Sequence, residues 1–174
     1  MLRTFTFCLL IICAIACAAQ QPAAFWLVER ADSLVDQEQY EEANQLLIQF
    51  HQQTDSTQQT DRYYSSLVKL GDNYIELYEF TEAEKCFNRV IHRPQGAPVP
   101  HDSVLAIANG DLGYVYGKTS RYPEQLEQYL ISLELNRGVF GEQSKQLGQA
   151  YNNLGTAYSK VGNYEMQLIC YQKA

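Results

Sequence analysis

The sequence predicts an all-α solenoid: a row of helix-turn-helix hairpins, each too small to fold alone, sharing one elongated core. Three observations predict it. A small residue recurs at one register, as Ala31, Gly71, Gly113 and Gly155, at steps of 40, 42 and 42 residues. Large residues follow each at fixed offsets: Leu34, Tyr74, Tyr116 and Tyr158 three on; Tyr40, Phe80, Tyr122 and Tyr164 nine on; Leu47, Phe87, Tyr129 and Tyr171 sixteen on. Within the last copy Leu147, Tyr151, Leu154, Tyr158 and Val161 step by four and three, which lays one apolar stripe along a helix. Gly162-Asn163 then breaks the helix, and Tyr164, Leu168 and Tyr171 open a second stripe. A hairpin of this kind cannot cover its own apolar face and needs neighbours like itself.

Residues 1–19 read as a signal peptide. Arg3 supplies the positive start, Phe5–Ala16 the apolar stretch, and Ala14, Ala16, Ala18 and Ala19 the small residues before a cleavage point after Ala18 or Ala19. The apolar run is shorter than the roughly 20 residues a spanning helix needs. An uncleaved anchor and lipidation at Cys17 stay open, although bacterial lipidation boxes favour Leu three residues before the cysteine, where Ala14 stands.

Residues 23–174 hold about four repeats, 24–57, 64–97, 106–139 and 148–174, the last cut short. The first helix is expected over 23–37, with Trp26 plugging the exposed end of the stack, and its partner over 40–51. Gln52–Asp61 is polar and aperiodic, a connector. The second hairpin covers roughly 62–92 and ends at His92-Arg93-Pro94, since a residue before proline avoids the helical region. Residues 93–101, with Pro94, Pro98 and Pro100, read as the clearest loop. Asp102 or Ser103 is expected to cap the next helix. Pro123 falls in the first turn of the following one, where its missing N–H costs nothing. Gly138 and Gly141 bracket the last connector.

Glycine inside a helix costs about 1 kcal/mol relative to alanine. Gly71, Gly113 and Gly155 are therefore expected where two helices approach too closely for a side chain. The aromatic residues in register, most of the 13 tyrosines among them, are expected to fill the spaces between hairpins.

The pattern L-G-x-x-Y, then an aromatic, then a large apolar residue, resembles the tetratricopeptide repeat (TPR) family over nearly all of residues 24–174. The resemblance implies a right-handed solenoid. The long period, the Asn-Asn-Leu-Gly run at 152–155 and the connector Phe140-Gly141-Glu142 are similar to the repeats of kinesin light chains and of bacterial arrays that precede CHAT-type caspase-like domains. The family places a small residue early in the second helix. Ala43 and Ala83 fit, whereas Gln125 and Gln167 do not, so in repeats three and four the hairpin must open or the glutamine must bend away.

Chemistry is sparse. Gly113–Thr119, GYVYGKT, has three residues between its glycines where a phosphate-binding loop needs four, and it falls in a predicted helix. His51, His92 and His101 have no metal-ligand spacing. Acidic pairs such as Glu41-Glu42 begin helices, where they complement the dipole. No catalytic residue, cofactor or metal is expected. Once the leader is removed, 12 basic residues stand against 20 acidic, a net charge of −8. That balance argues against nucleic acid and anionic membranes as partners. Of five cysteines only Cys86 and Cys170 lie outside the leader. They share one register two repeats apart, so they are expected as buried, unpaired thiols.

What remains is a concave surface lined by the first helix of each hairpin. By the resemblance, its residues include Val28, Asp32, Val35 and Asp36, then Val68, Asp72, Ile75 and Glu76. The late half offers Tyr114, Lys118, Asn152, Asn153, Thr156, Ser159 and Lys160. The early half is acidic and the late half is rich in amides, with two lysines. A protein or peptide partner is the expected ligand, in the periplasm or outside a bacterial cell. The alternative is the regulatory front of a longer signalling protein or CHAT-type peptidase, a reading that follows from the chain stopping within a helix at Ala174.

Overall fold

The computed structural model describes residues 24–54, 61–93 and 97–174. Every regular element among them is a helix: α1 Phe25–Val35, α2 Tyr40–Gln53, α3 Asp61–Glu76, α4 Phe80–Ile91, α5 Asp102–Lys118, α6 Tyr122–Phe140, α7 Lys145–Lys160 and α8 Tyr164–Lys173. Each packs on the next in chain order, and α3 also touches α5. Contacts confined to neighbours make a solenoid, and the α3–α5 contact sets the first helices of successive hairpins side by side along one face. The leader, most of the first connector and Pro94 lie outside the described residues.

One turn closes all four hairpins. Its left-handed residue stands seven positions after the small residue in each: Glu38 (φ 59°), Tyr78 (φ 60°), Ser120 (φ 62°) and Gly162 (φ 76°). The next N–H donates five residues back each time, Gln39 to Leu34, Glu79 to Tyr74, Arg121 to Tyr116 and Asn163 to Tyr158, at 2.8–2.9 Å. This double-bonded stop satisfies the last carbonyls of the first helix. Only the fourth copy has the glycine that the geometry favours. A left-handed L-residue costs roughly 1–2 kcal/mol, part of which glycine returns as unfolded-state entropy. Ser120→Gly is therefore expected to raise stability by about 0.5–1 kcal/mol, read as a higher midpoint in chemical denaturation.

Glycines in register carry the packing. A Cβ on Gly71 would lie 2.6 Å from the Phe87 ring, on Gly113 2.6 Å from Tyr129, and on Gly155 2.6 Å from Tyr171. The apolar core divides in two. One part runs from Ala24 through α5 to Tyr116, and the other joins Tyr129 and Leu133 of α6 to α7 and Cys170. Between them, α5 and α6 meet through small and polar residues: Gly110 faces Ser132, whose hydroxyl donates to the Ala106 carbonyl at 2.7 Å.

Charged and polar links join successive repeats across the turns. Lys69 pairs with Asp32, Arg121 with Glu84 at 2.9 Å, and Arg137 donates to the Tyr151 hydroxyl at 2.9 Å. Buried Asn73 donates to buried Asn44 at 2.8 Å, between α3 and α2.

Several details differ from expectation. The cap of α5 is His101, whose Nδ1 accepts from the Ser103 N–H at 3.3 Å, rather than Asp102 or Ser103. Imidazole nitrogen is an acceptor as serviceable there as a hydroxyl. Helix α6 runs through Gly138, which a helix tolerates at a cost of about 1 kcal/mol, and stops at Gly141 (φ 80°), with Arg137 paired to Glu134 and Glu142. Trp26 is 57% exposed rather than a plug; Leu27 and Val28 face inward instead. The α8 stripe is also open, with Leu168 59% exposed and Cys170 the buried residue of that helix. Cys86 and Cys170 are free and buried, as expected, and burial pushes the Cys86 thiol up to about 12. The Gly113–Thr119 run begins in α5, with Gly113 pressed on Tyr129, and forms no phosphate loop.

Candidate functional site

The expected groove residues divide into two groups. In the early half, Asp32, Val35, Asp36 and Asp72 line a cavity of about 230 Å³ with Ala31, Leu47, Lys69 and Asn73. Lys69 pairs with Asp32 there, so one of the expected carboxylates already has its cation. Asp72 lies against Asp111 of α5, a residue outside the expected set. Burial pushes the Asp72 carboxyl up to about 6 despite its hydrogen bond with Asp111, and Glu76 adds to the rise. Asp111 is raised as well, by burial and by the Asp72 charge. The two carboxyls hold a proton between them more readily than either would alone. Glu76 is exposed and outside the cavity lining.

In the late half, Tyr114, Lys118, Asn153, Thr156 and Lys160 line one cavity of about 350 Å³ with Gly117, Gln125 and Tyr129. Asn152 falls in an adjoining space of about 500 Å³ with Asp111, Asn136 and Gln149, and Asn153 borders both. Lys118 Nζ sits 5.0 Å from the centre of the Tyr114 ring. Thr156 donates to the Asn152 carbonyl at 3.0 Å and touches the Tyr171 hydroxyl at 3.2 Å. Among the described residues neither Lys118 nor Lys160 has a carboxylate in ion-pair range.

A register argument reaches the residues outside the expected set. Two positions before each small residue stand Glu29, Lys69, Asp111 and Asn153. Of this row only Asn153 is among the expected groove residues, yet Lys69 and Asp111 belong to it equally. Gln125 stands out in the sequence only as a misfit.

Residues 103–174 match the tetratricopeptide repeat family. These residues carry TPRs. No curated protein matches the chain. Among solved structures, MamA is 19% identical, with a TM-score of 0.69 over 92% of this chain and 81% of that one. BtubC (BKLC) from P. vanneervenii is 16% identical, TM-score 0.71, over 82% of this chain; the chain spans 57% of its length. TPR-like repeats from Podosopora anserina, described as kinesin light chain, are 17% identical, TM-score 0.65, over 90% and 77%. These likenesses show that residues before 103 continue the same TPR-like solenoid.

The misfit of Gln125 with the TPR pattern has a local solution. Four positions after the small residue stand Val35, Ile75, Gly117 and Ser159; twelve after it stand Ala43, Ala83, Gln125 and Gln167. Where the second residue grows, the first shrinks. A Cβ on Gly117 would lie 2.3 Å from Gln125 Nε2, so the glycine makes the room and the hairpin need not open. Gln167 is half-buried, opposite a serine. Among the described residues no helix is long and apolar enough to cross a membrane.

Proposed function

We propose that the chain is a non-catalytic protein-interaction module, exported by its leader, whose concave TPR face takes an extended segment of a partner protein. The observation that carries this reading is the convergence of α5, α6 and α7 on the late cavity. Two lysines without an ion pair among the described residues, two amides and two tyrosines line one open space there. Asparagine and glutamine side chains offer donor and acceptor together, which suits a peptide backbone. The early half, with Asp36, Asp72 and Glu76, would prefer basic or neutral residues, so the two halves would orient the segment. The cavities are open to solvent rather than enclosed, and among the described residues their polar groups include no paired nucleophile and base. Export rests on residues 1–19, and an acidic mature chain suits neither nucleic acid nor anionic lipid.

A benzophenone side chain placed at Thr156 should crosslink the partner in the exported fraction, whereas one at Glu127, exposed on α6, should not. The double change Asn152→Ala, Asn153→Ala should abolish the crosslink without altering helicity, since both side chains are exposed. Crosslinking that survives the double change would reject this face. The mass of the exported chain should correspond to a start at Ala19 or Gln20. An intact Met1 or a lipid on Cys17 would overturn the cleavage.

A further inference from the structure

We propose that α8 is a self-association surface, through which two copies of this chain pair antiparallel about a two-fold axis near Ile169. The surface lies on the outer helix of the last hairpin, so pairing leaves the concave face open and does not depend on what binds there.

Register shows what the surface is built to do. Thirteen positions after the small residue stand Asn44, Glu84, Leu126 and Leu168. The first three all reach the following repeat. Asn44 accepts from Asn73, Glu84 accepts from Arg121, and Leu126 packs on the cluster that α6 shares with α7. Leu168 holds the same position in α8, yet it is exposed, as are Tyr164, Ile169 and part of Tyr171. Their apolar surface is on the order of 400 Å², as large as the main patch on many monomers. With the polar side chains on its flank, pairing would bury about 1,000 Å² in total, the low end for a specific, reversible interface.

Two helices compete to cover it. The first is α1 of another copy, stacked head to tail. In α3, Ser66 and Asn73 reach back to His51 and Asn44 of the preceding helix, and Leu70 is buried between them in register. In α1 the same three positions are Trp26, Ser33 and Arg30, with Trp26 and Arg30 exposed. A guanidinium at the leucine position would be buried without a partner by such stacking. The second is α8 itself, which is self-complementary. Glu165, Ile169 and Lys173 stand four residues apart along one flank, the acid in the first turn and the base in the last. Among the described residues neither Glu165 nor Lys173 is in an ion pair. Lys173 Nζ lies 5.5 Å from the centre of the Tyr151 ring, an exposed attraction weak enough to yield to a carboxylate. A two-fold axis at Ile169 sets Glu165 of each copy beside Lys173 of the other, so the ion pair forms twice. Ile169 then meets its own counterpart, with the row Tyr164, Leu168 and Gln172 alongside, and the two helix dipoles oppose each other favourably.

Sedimentation velocity of the purified chain should show a monomer–dimer equilibrium with a Kd of about 10 μM, as suits an interface of this size. Leu168→Glu should weaken pairing at least about tenfold while helicity and melting temperature hold, since the side chain is exposed. Glu165→Lys and Lys173→Glu should each weaken it about fivefold by bringing like charges together. The double exchange, Glu165→Lys with Lys173→Glu, should restore the parent Kd, a recovery that antiparallel self-pairing requires. Trp26, the single tryptophan, should keep the emission of an exposed indole across the dilution series. A chain that stays monomeric at about 500 μM overturns the inference, and so does a double exchange that pairs no better than the single ones. Species beyond the dimer, with Trp26 emission shifting to the blue as they form, would place α1 at the contact and overturn it too. The crosslink at Thr156 is unaffected by any of these outcomes, so the groove reading stands or falls separately.

Discussion

Gly71→Ala should destabilise the protein, although alanine is the better helix former by about 1 kcal/mol. The new methyl would lie 2.6 Å from two atoms of the Phe87 ring, and Phe87 is wholly buried, at 0% exposure, with nowhere to turn. Overpacking of this kind costs about 1–3 kcal/mol, which exceeds the propensity gain in all but its mildest form. The same change at the equivalent glycines should follow the freedom of the facing ring. Tyr129, 5% exposed, leaves Gly113→Ala nearly as costly. Tyr171, 44% exposed, can swing outward, although Cys170 Cβ stays 3.3 Å from the new methyl, so Gly155→Ala should cost the least of the three. Phe87→Ala alone should cost about 3–5 kcal/mol. The pair Gly71→Ala with Phe87→Leu should show coupling of at least about 0.5 kcal/mol in a double-mutant cycle, because the smaller side chain removes the clash. Urea midpoints measured for the series decide it. Equal costs at all three glycines would show that the backbone, rather than the ring, requires them.

The same contacts explain why the fold is legible in the sequence. The spacing of Gly71, Gly113 and Gly155, with Phe87, Tyr129 and Tyr171 sixteen residues on, is a contact written twice in the chain, once by each partner. Repetition multiplies the signal, since each copy must solve the same packing problem. The turns are less legible: Glu38, Tyr78 and Ser120 adopt the left-handed conformation that only Gly162 advertises, because the bonds to Leu34, Tyr74 and Tyr116 impose it. A cap is hard to read where an unusual residue serves, as His101 does for α5. At the groove, register gives the first-helix positions but not Gln125. Its inward reach depends on Gly117 across the hairpin, a compensation between two helices that no single-helix pattern displays. Lys69 and Asp111 are within reach of the pattern, since they occupy the same row as Asn153.

The second large effect is a pair of opposed acid responses. His51 sits between Phe50 and Tyr63, with Ser66 Oγ 3.3 Å from Nε2, and its ring meets that of Tyr63 edge-on at 4.7 Å. Burial first, and the nearby Arg89 charge second, lower its pKa from 6.5 to about 4. The unfolded chain then takes up a proton that the folded chain refuses, so the contribution of His51 is complete above pH 6.5 and lost as the pH falls toward 4. A displacement of that size corresponds to about 3 kcal/mol. Asp72 works in the other direction. Its carboxyl is raised from 3.8 to about 6, so the folded chain holds a proton that the unfolded chain releases. Its contribution is present below pH 3.8 and lost as the pH rises through 6, to a similar extent of about 3 kcal/mol. Across pH 4–6 the two slopes oppose each other, and the parent protein should show only a shallow dependence from these sites. Removing one should expose the other. Asp72→Asn should lose stability on acidification from pH 6.5 to 4, following His51, whereas His51→Gln should gain stability over pH 6 to 4, following Asp72 and its neighbour Asp111. Denaturation midpoints at half-unit pH steps for the three proteins give the answer. Parallel curves would mean that neither group titrates differently in the folded state, and with that the buried proton between α3 and α5 would be excluded.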